Sequence, residues 1–129
     1  HTQMGKVQLK VEGMPAPLGA YSDAIQAGDL VFLTGQAGLD ADGNVVGDTA
    51  AAQARQAFTN LQALLAGIGL TLDAVVKTTI FLTDINEFEE VNAAYKEFFK
   101  APYPARETVE VAGLAFGLRF EMAVTAYKG

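Results

Sequence analysis

Arg106 opens the stretch of the chain whose residue types are best suited to chemistry. It stands in the run PARETVEV (residues 104–111), an alternating, β-branched pattern that predicts a strand. Successive side chains of a strand point to opposite faces, so Arg106, Thr108 and Glu110 are expected to share one side. The pattern fits either a strand braced by surface ion pairs or a site that binds an anion. Spacing alone favours the ion-paired strand.

Chemistry that depends on cysteine or histidine is excluded from the folded part of the chain. The sequence has no cysteine, and its one histidine is His1, at a terminus that is expected to be disordered. Catalytic triads, Cys–His pairs and metal sites built on sulfur or imidazole are therefore not available. The glycine-rich motifs of nucleotide-binding proteins are absent as well. Catalysis would use carboxylates, arginine, hydroxyls and water, and no metal or cofactor is expected.

The acidic balance of the chain argues against nucleic acid as its partner. The formal net charge is -6, and the nine basic residues are scattered along the sequence. Binding to phosphates depends on clustered lysine and arginine. Apolar stretches stop well short of the ~18 residues that a membrane span needs, and the N-terminus shows no signal-peptide core. We therefore expect a cytoplasmic protein that binds neither nucleic acid nor membrane.

Length and periodicity predict one α+β domain over residues 1–129, with residues 1–5 disordered or an expression remnant. The expected order is strand, strand, strand, helix, strand, helix, strand, strand. The strands are expected at 7–11, 24–27, 30–34, 74–82, 106–111 and 118–127, with a proline-containing ordered loop at 14–19. The helices run from Asp48 or Thr49 to about Gly67 and from Asn86 to about Lys100. Two helices cover one face of such a sheet, which favours a homo-oligomer that covers the other.

Each predicted helix carries polar residues that are either exposed to solvent or in contact with other parts of the protein. On the first helix the polar face is expected to be solvated; it consists of Gln53, Arg55, Gln56 and Asn60. On the second helix Asn92 interrupts an apolar stripe. Such a residue is either a buried amide with hydrogen-bond partners or a contact in a pocket.

Glu121 is the one carboxylate within an otherwise apolar final strand. Alternation places it with Arg119 on one face, while the even-numbered residues 120–126 face the core. Burying a carboxylate alone is costly, so Glu121 is expected to have a partner, with Arg106 or Arg119 as the candidates.

Two loop positions have both a structural and a functional interpretation. Tyr21 is either an aromatic residue at the rim, which local sequence favours, or a wall of a substrate site. Gly35 and Gly38 flank Gln36 at the end of the third strand. Glycine there either lets the backbone approach another molecule closely or marks a bulge.

From about Pro17 to Tyr127 the chain resembles the YjgF/Rid family of reactive-intermediate (imine or enamine) deaminases. The motifs that carry the resemblance are GAYSDA (19–24), VFLTGQ (31–36), VKTTIFLTD (76–84), NAAYKEFF (92–99), PAR (104–106) and VEV (109–111), followed by Leu114 and Glu121. Together these motifs are highly specific, although any one of them alone is weak.

The resemblance implies a chorismate-mutase-like fold, a mixed β-sheet with two helices on one face, and a homotrimer whose sheets line a central barrel. It implies hydrolysis of small 2-imino or 2-enamino acids to 2-keto acids and ammonia in clefts between subunits. Arg106 would hold the substrate carboxylate and Glu121 would orient the water. The implied contacts in the cleft are Tyr21, Gly35, Asn92 and Thr108.

The chain departs from the family pattern at several positions near these residues. Ala20 and Ala115 replace frequent prolines, and Glu107-Thr108 stands where Ser-Cys or a similar pair commonly follows the arginine. Thr108 can donate a hydrogen bond much as a thiol can. These changes leave the substrate and the branch of the family open.

Three other functions fit the same sequence. A non-catalytic regulatory trimer could bind a carboxylate metabolite through Arg106, and turnover would separate it from an enzyme. A ribonuclease or translation-inhibitor activity is associated with some relatives, but the acidic balance weighs against it. A chaperone of the holdase type could use exposed apolar surface.

Overall fold

The computed structural model describes residues 5–14, 17 and 19–129. It confirms the predicted order of elements. The strands are β1 (Val7–Gln8), β2 (Ala24–Ala27), β3 (Leu30–Ala37), β4 (Val75–Leu82), β5 (Ala105–Glu110) and β6 (Phe120–Tyr127), and the helices are α1 (Ala50–Ala66) and α2 (Phe88–Phe98). The expectations for residues 1–5 and for the proline-containing loop fall largely on residues 1–4, 15, 16 and 18, which lie outside the described residues.

The strands form one six-stranded mixed sheet in the order β1-β2-β3-β6-β4-β5. β4 and β5 run parallel and are connected through α2, whereas all other neighbours are antiparallel. α1 packs against β3, β6 and α2. Both helices lie on the same face of the sheet, so the α+β class and the one-sided helical layer are confirmed.

An aromatic cluster around Phe58 of α1 joins the helices to the sheet. Phe58 is fully buried, and its ring centroid lies 5.3–5.7 Å from four other rings. These rings belong to Tyr95, Phe98, Phe99 and Phe120. Edge-to-face contacts of this kind add to the free energy gained by burying the rings. The predicted apolar stripe of α1 is the centre of the core.

Side-chain oxygens from two parts of the chain cap the start of α1. Thr49 accepts a hydrogen bond from the backbone N–H of Ala52, as the sequence predicts for an N-cap. Glu87 adds a second acceptor, since its Oε1 lies 2.9 Å from the nitrogen of Ala50. The other oxygen of Glu87 binds Arg119, at 2.6 Å from Nη2. Glu87 thus connects the start of α1 to the segment that enters β6.

The prediction that the polar face of α1 is solvated is wrong for two residues. Gln53 is only 2% exposed; its amide donates to Gly47 O at 3.1 Å and accepts from Arg119 N at 2.8 Å. Asn60 donates to the backbone oxygens of Ala37, the last residue of β3, and of Leu39 in the loop that follows. These two amides therefore contact the connection between β3 and α1 and the residue before β6, and they supply hydrogen bonds to backbone groups there.

The other face of the sheet carries exposed apolar side chains. Phe32, Val109 and Tyr127 are 40–53% exposed, and no helix covers them among the described residues. Exposed apolar residues of this kind are typical of a surface that binds another chain. That other copies of the chain cover this face stays a prediction. No helix of the described ranges is long and apolar enough to cross a bilayer.

Replacing Gln53 by Ala is expected to lower the free energy of unfolding by about 1–3 kcal/mol, because the backbone oxygen of Gly47 and the backbone N–H of Arg119 lose a partner in part-buried surroundings. Gln62, exposed on the same helix, is the matched control, and Gln62→Ala should change stability by less than ~0.5 kcal/mol. Urea denaturation at one protein concentration measures both. Equal stability of the two variants would contradict the structural role of Gln53.

Candidate active site

β5 places Arg106 on the helical side of the sheet. It stands beside Thr78 in the parallel register with β4, and its guanidinium carbon lies 4.7 Å from the ring centroid of Tyr95 and 5.7 Å from that of Phe88. Glu107 points to the opposite face, as alternation predicts, and pairs there with Lys77 at 3.1 Å. Hydrogen bonds from Thr79 and Lys77 hold the pKa of Glu107 below its ordinary value.

Arg106 differs from the other two arginines in its partners. Arg55 and Arg119 each donate two hydrogen bonds to one glutamate, Glu97 and Glu87 respectively. Within the part of the chain that the structure describes, Arg106 makes no ion pair. The ion pair of β5 belongs to Glu107, so the interpretation of Arg106 as a salt-bridge residue is wrong.

The guanidinium faces a cavity of about 400 Å³ between α2 and the segment that leads into β5. Its lining consists of Asn92, Tyr95, Lys96, Tyr103, Pro104 and Arg106. Asn92 is thus a cavity contact, one of the two interpretations that the sequence left open. Among the described residues the lining carries two basic side chains and no acidic one, so the cavity favours an anionic ligand.

Tyr95 forms the floor of this cavity and is nearly fully buried. Its hydroxyl lies 3.0 Å from Thr78 Oγ1. Burial raises the pKa of Tyr95, and this effect outweighs the opposing influences of Thr78 and the charge of Arg106. The hydroxyl therefore stays protonated at neutral pH, and Tyr95 serves as a fixed wall rather than as a base.

Thr108 lies on the same face of β5, two residues beyond Arg106. Its Oγ1 is buried and has no hydrogen-bond partner among the described residues. Buried hydroxyls are nearly always paired, so this oxygen is available to a ligand or to a group from another chain.

Glu121 lies on the opposite face of the sheet. In β6 it pairs with Ala37 of β3 and Phe81 of β4, and β3 bulges between Leu33 and Gln36. The carboxylate lies directly over Gly35, where an added Cβ would be 2.7 Å from Oε2. The glycine thus both belongs to a bulge and gives Glu121 the space that it occupies.

The prediction that Glu121 pairs with Arg106 or Arg119 is wrong within a single chain. Arg119 binds Glu87 instead, because it precedes β6 and turns toward the start of α1. Arg106 is on the other side of the sheet. The structure describes no hydrogen bond or ion pair of Glu121 with another described residue, and its carboxylate is half-buried rather than buried, which explains how it avoids the cost of burial.

The candidate residues therefore fall into separate groups in one chain. Arg106, Asn92 and Thr108 lie on the helical side, and Gly35 and Glu121 lie on the open side. Tyr21 precedes β2, is 53% exposed and belongs to neither group.

The sequence pattern did not predict Tyr95 and Lys96 as cavity residues. Their positions are typical of a core residue and of a lysine that complements the helix dipole. Their spacing of three and four residues from Asn92 is the signal that places them on its helix face.

Gly35→Ala is expected to change the free energy of unfolding by less than ~1 kcal/mol, because the methyl group meets only the flexible end of Glu121. Gly38→Ala is the contrasting variant, since its Cβ would lie 2.6 Å from the backbone oxygen of Gln53, and we expect it to cost more than ~2 kcal/mol. Urea denaturation compares the two. If Gly35→Ala is as costly as Gly38→Ala, the space at position 35 is not set by Glu121.

Comparisons with known proteins place this arrangement in a family. The profile of the family described as Endoribonuclease L-PSP matches residues 11–128. A protein from Homo sapiens named 2-iminobutanoate/2-iminopropanoate deaminase is 39% identical over 116 residues, which are 89% of this chain and 85% of the human protein.

Solved structures agree with the sequence matches. YyfA from Yersinia pestis, described as a protein of unknown function of the conserved Rid family, superposes with a TM-score of 0.87 at 38% identity and covers 95% of this chain and 99% of its own. E. coli TdcF, solved with bound serine, has a TM-score of 0.82 at 32% identity and covers 92% and 98%. The match extends over nearly the whole chain in each case, and the protein belongs to the endoribonuclease L-PSP family, the YjgF/Rid family that its motifs indicate.

Proposed function

We propose that the protein hydrolyses small 2-imino and 2-enamino acids to 2-keto acids and ammonia. The observation that carries the proposal is Arg106, an arginine without a carboxylate partner among the described residues, facing a cavity whose lining has no acid. The name of the human relative supports the reaction class. The bound serine in TdcF supports a ligand of amino-acid size.

Arg106 would bind the substrate carboxylate. The planar guanidinium offers two parallel N–H groups that match the two oxygens of a carboxylate, which fixes the orientation of the molecule as well as its position. Asn92 lines the same cavity, and the hydroxyl of Thr108 is buried and unpaired within the described part of the chain. Both side chains are suited to contact the imine end of a substrate held in this way.

Glu121 would supply the acid–base chemistry. Its carboxylate takes a proton from water as the water oxygen bonds to the imine carbon, and it passes this proton to the imine nitrogen, so that a neutral carbinolamine forms. The carboxylate then takes the proton of the carbinolamine hydroxyl and transfers it to the nitrogen, the C–N bond breaks as the carbonyl forms, and ammonia and the 2-keto acid are released. The imine carbon is already electrophilic, so one held carboxylate and one oriented water suffice.

This mechanism requires two copies of the chain. Arg106 and Glu121 lie on opposite faces of one sheet, so a shared cleft would take Arg106, Asn92 and Thr108 from one subunit and Gly35 and Glu121 from its neighbour. Tyr21 would form a wall of this cleft. The exposed apolar residues of the open face favour such an interface. A homotrimer with three equivalent clefts satisfies this requirement by closed symmetry.

An RNA-cleaving role has support in the description of the family as endoribonuclease. Against it stands the net charge of -6, and three of the nine basic residues are engaged with glutamates. RNA binding by this chain would have to weaken steeply with salt. Absence of RNA binding at low salt would exclude this role.

The regulatory trimer remains the alternative to an enzyme, and turnover distinguishes the two.

Arg106→Ala is expected to abolish deamination, and Arg106→Lys to leave at most about 1% of it, because an ammonium cannot replace the planar fork. Arg55→Ala is the control, since Arg55 pairs with Glu97 at the surface, outside the cavity. The assay generates 2-aminoacrylate in place and follows keto acid and ammonia. Wild-type protein that is no faster than buffer would contradict the proposed function.

Mixing inactive chains tests whether the cleft is shared. Arg106→Ala and Glu121→Gln are each expected to be inactive, but co-refolding them in equal amounts should restore about a quarter of the wild-type activity, because one cleft in four then receives both intact residues. Each variant refolded alone is the control. If the mixture stays inactive while mixed oligomers form, Arg106 and Glu121 do not act in a cleft between chains.

A further inference from the structure

We propose that Tyr95, assisted by Phe88, is the positioning residue for Arg106, and that the two rings take the place of the carboxylate that holds an arginine elsewhere in this protein. The inference rests on the proposed binding of a substrate carboxylate by Arg106. It explains how the guanidinium of Arg106 is held in position while its N–H groups stay available to a substrate.

The contrast among the three arginines carries the argument. Arg55 and Arg119 are held by glutamates, with Nη2 at 2.7 Å and 2.6 Å from a carboxylate oxygen. Those ion pairs occupy the N–H groups that a substrate would need. Arg106 has no such pair in the described residues and instead stands over the face of Tyr95, at 4.7 Å, with Phe88 at 5.7 Å. A ring face attracts the cation while leaving the N–H groups at its edge unoccupied.

Tyr95 can hold Arg106 in place because it is itself rigidly held. Its hydroxyl bonds with Thr78 at 3.0 Å, its ring stacks on Phe99 with centroids 4.2 Å apart, and Phe58 meets it edge-on at 5.7 Å. Thr78 is also the residue of β4 beside Arg106 in the sheet. The strand that carries the arginine and the ring that holds its head are therefore fixed to the same residue.

The chemical consequence concerns charge. A glutamate beside Arg106 would neutralise the guanidinium and compete with the substrate carboxylate. The aromatic rings carry no net charge, so the full positive charge of Arg106 remains available to an anion. The contact with the rings thus fixes the guanidinium without placing a second anion where the substrate carboxylate would bind.

The test separates the ring from the hydroxyl of Tyr95. Tyr95→Leu removes the ring, and we expect KM to rise about tenfold while kcat changes less than about threefold, because the carboxylate is bound less well in both the ground state and the transition state. Tyr95→Phe keeps the ring and should retain the wild-type KM. A loss of kcat without a change in KM in Tyr95→Leu would overturn the proposal, since a merely structural defect reduces the active fraction.

Stability controls accompany the kinetics. Tyr95→Phe leaves the buried Thr78 hydroxyl unpaired and should destabilise the protein, and Thr78→Val in the same chain should recover part of that loss. KM should stay at the wild-type value in both. Should Tyr95→Leu fail to fold, Phe88→Leu replaces it, with an expected two- to fivefold rise in KM, about the effect of one weaker ring contact. An unchanged KM in Phe88→Leu would then overturn the proposal.

Binding of 2-oxobutanoate, a stable keto acid, distinguishes this inference from the proposed function. Calorimetry on the wild type and on Tyr95→Leu should show Kd about tenfold higher for the variant whether or not the protein turns over imines. Wild-type binding without turnover would refute the deaminase and keep the inference. Equal Kd for wild type and Tyr95→Leu, or no binding by the wild type, would overturn the inference.

Discussion

The packing of α2 against β4 through Tyr95 is the contact on which the site depends. The ring of Tyr95 is part of the aromatic cluster around Phe58, and its hydroxyl bonds to Thr78 in the middle of the sheet. On its other side the same ring meets the guanidinium of Arg106. One residue therefore belongs to the core and to the cavity at once. A change that removes the ring therefore disturbs both the core and the position of the arginine.

The sheet separates the two kinds of chemistry that the proposed reaction needs. Its helical side holds a cation in a cavity without acids, and its open side holds a carboxylate over a glycine. Within one chain the cation and the carboxylate cannot neutralise each other, because the sheet stands between them. A second copy of the chain is needed to bring them together, so in the proposed mechanism assembly and catalysis depend on the same surface.

Much of the fold could be predicted from the sequence because its signals are local. The apolar stripe of α1, the Thr49 cap and the alternation along β5 and β6 follow from periods of 3.6 and 2 residues. The strand ends differ from the prediction by a few residues: β1 is shorter than predicted, and β3 continues past its bulge to Ala37.

What could not be predicted depends on partners distant in sequence. The sequence pattern alone predicts that Gln53 is a solvated helix residue. Only the structure shows that Gly47 and Arg119 lie beside it. Glu121 reads as a buried acid that needs a base, because alternation does not show that its face of the sheet is open. The sequence pattern identified Arg106 as a candidate but not its environment, since the lack of an ion pair among the described residues depends on how the distant parts of the chain pack.

Glu87 has a consequence that reaches beyond its own contacts. One of its oxygens accepts the first free N–H of α1, and the other holds Arg119, two residues before Glu121. The residue immediately before the last strand is therefore joined through one side chain to the first residue of the first helix. Loss of the Glu87 side chain would release a backbone N–H in one element and a guanidinium in another at the same time, so one substitution would disturb two distant points of the fold.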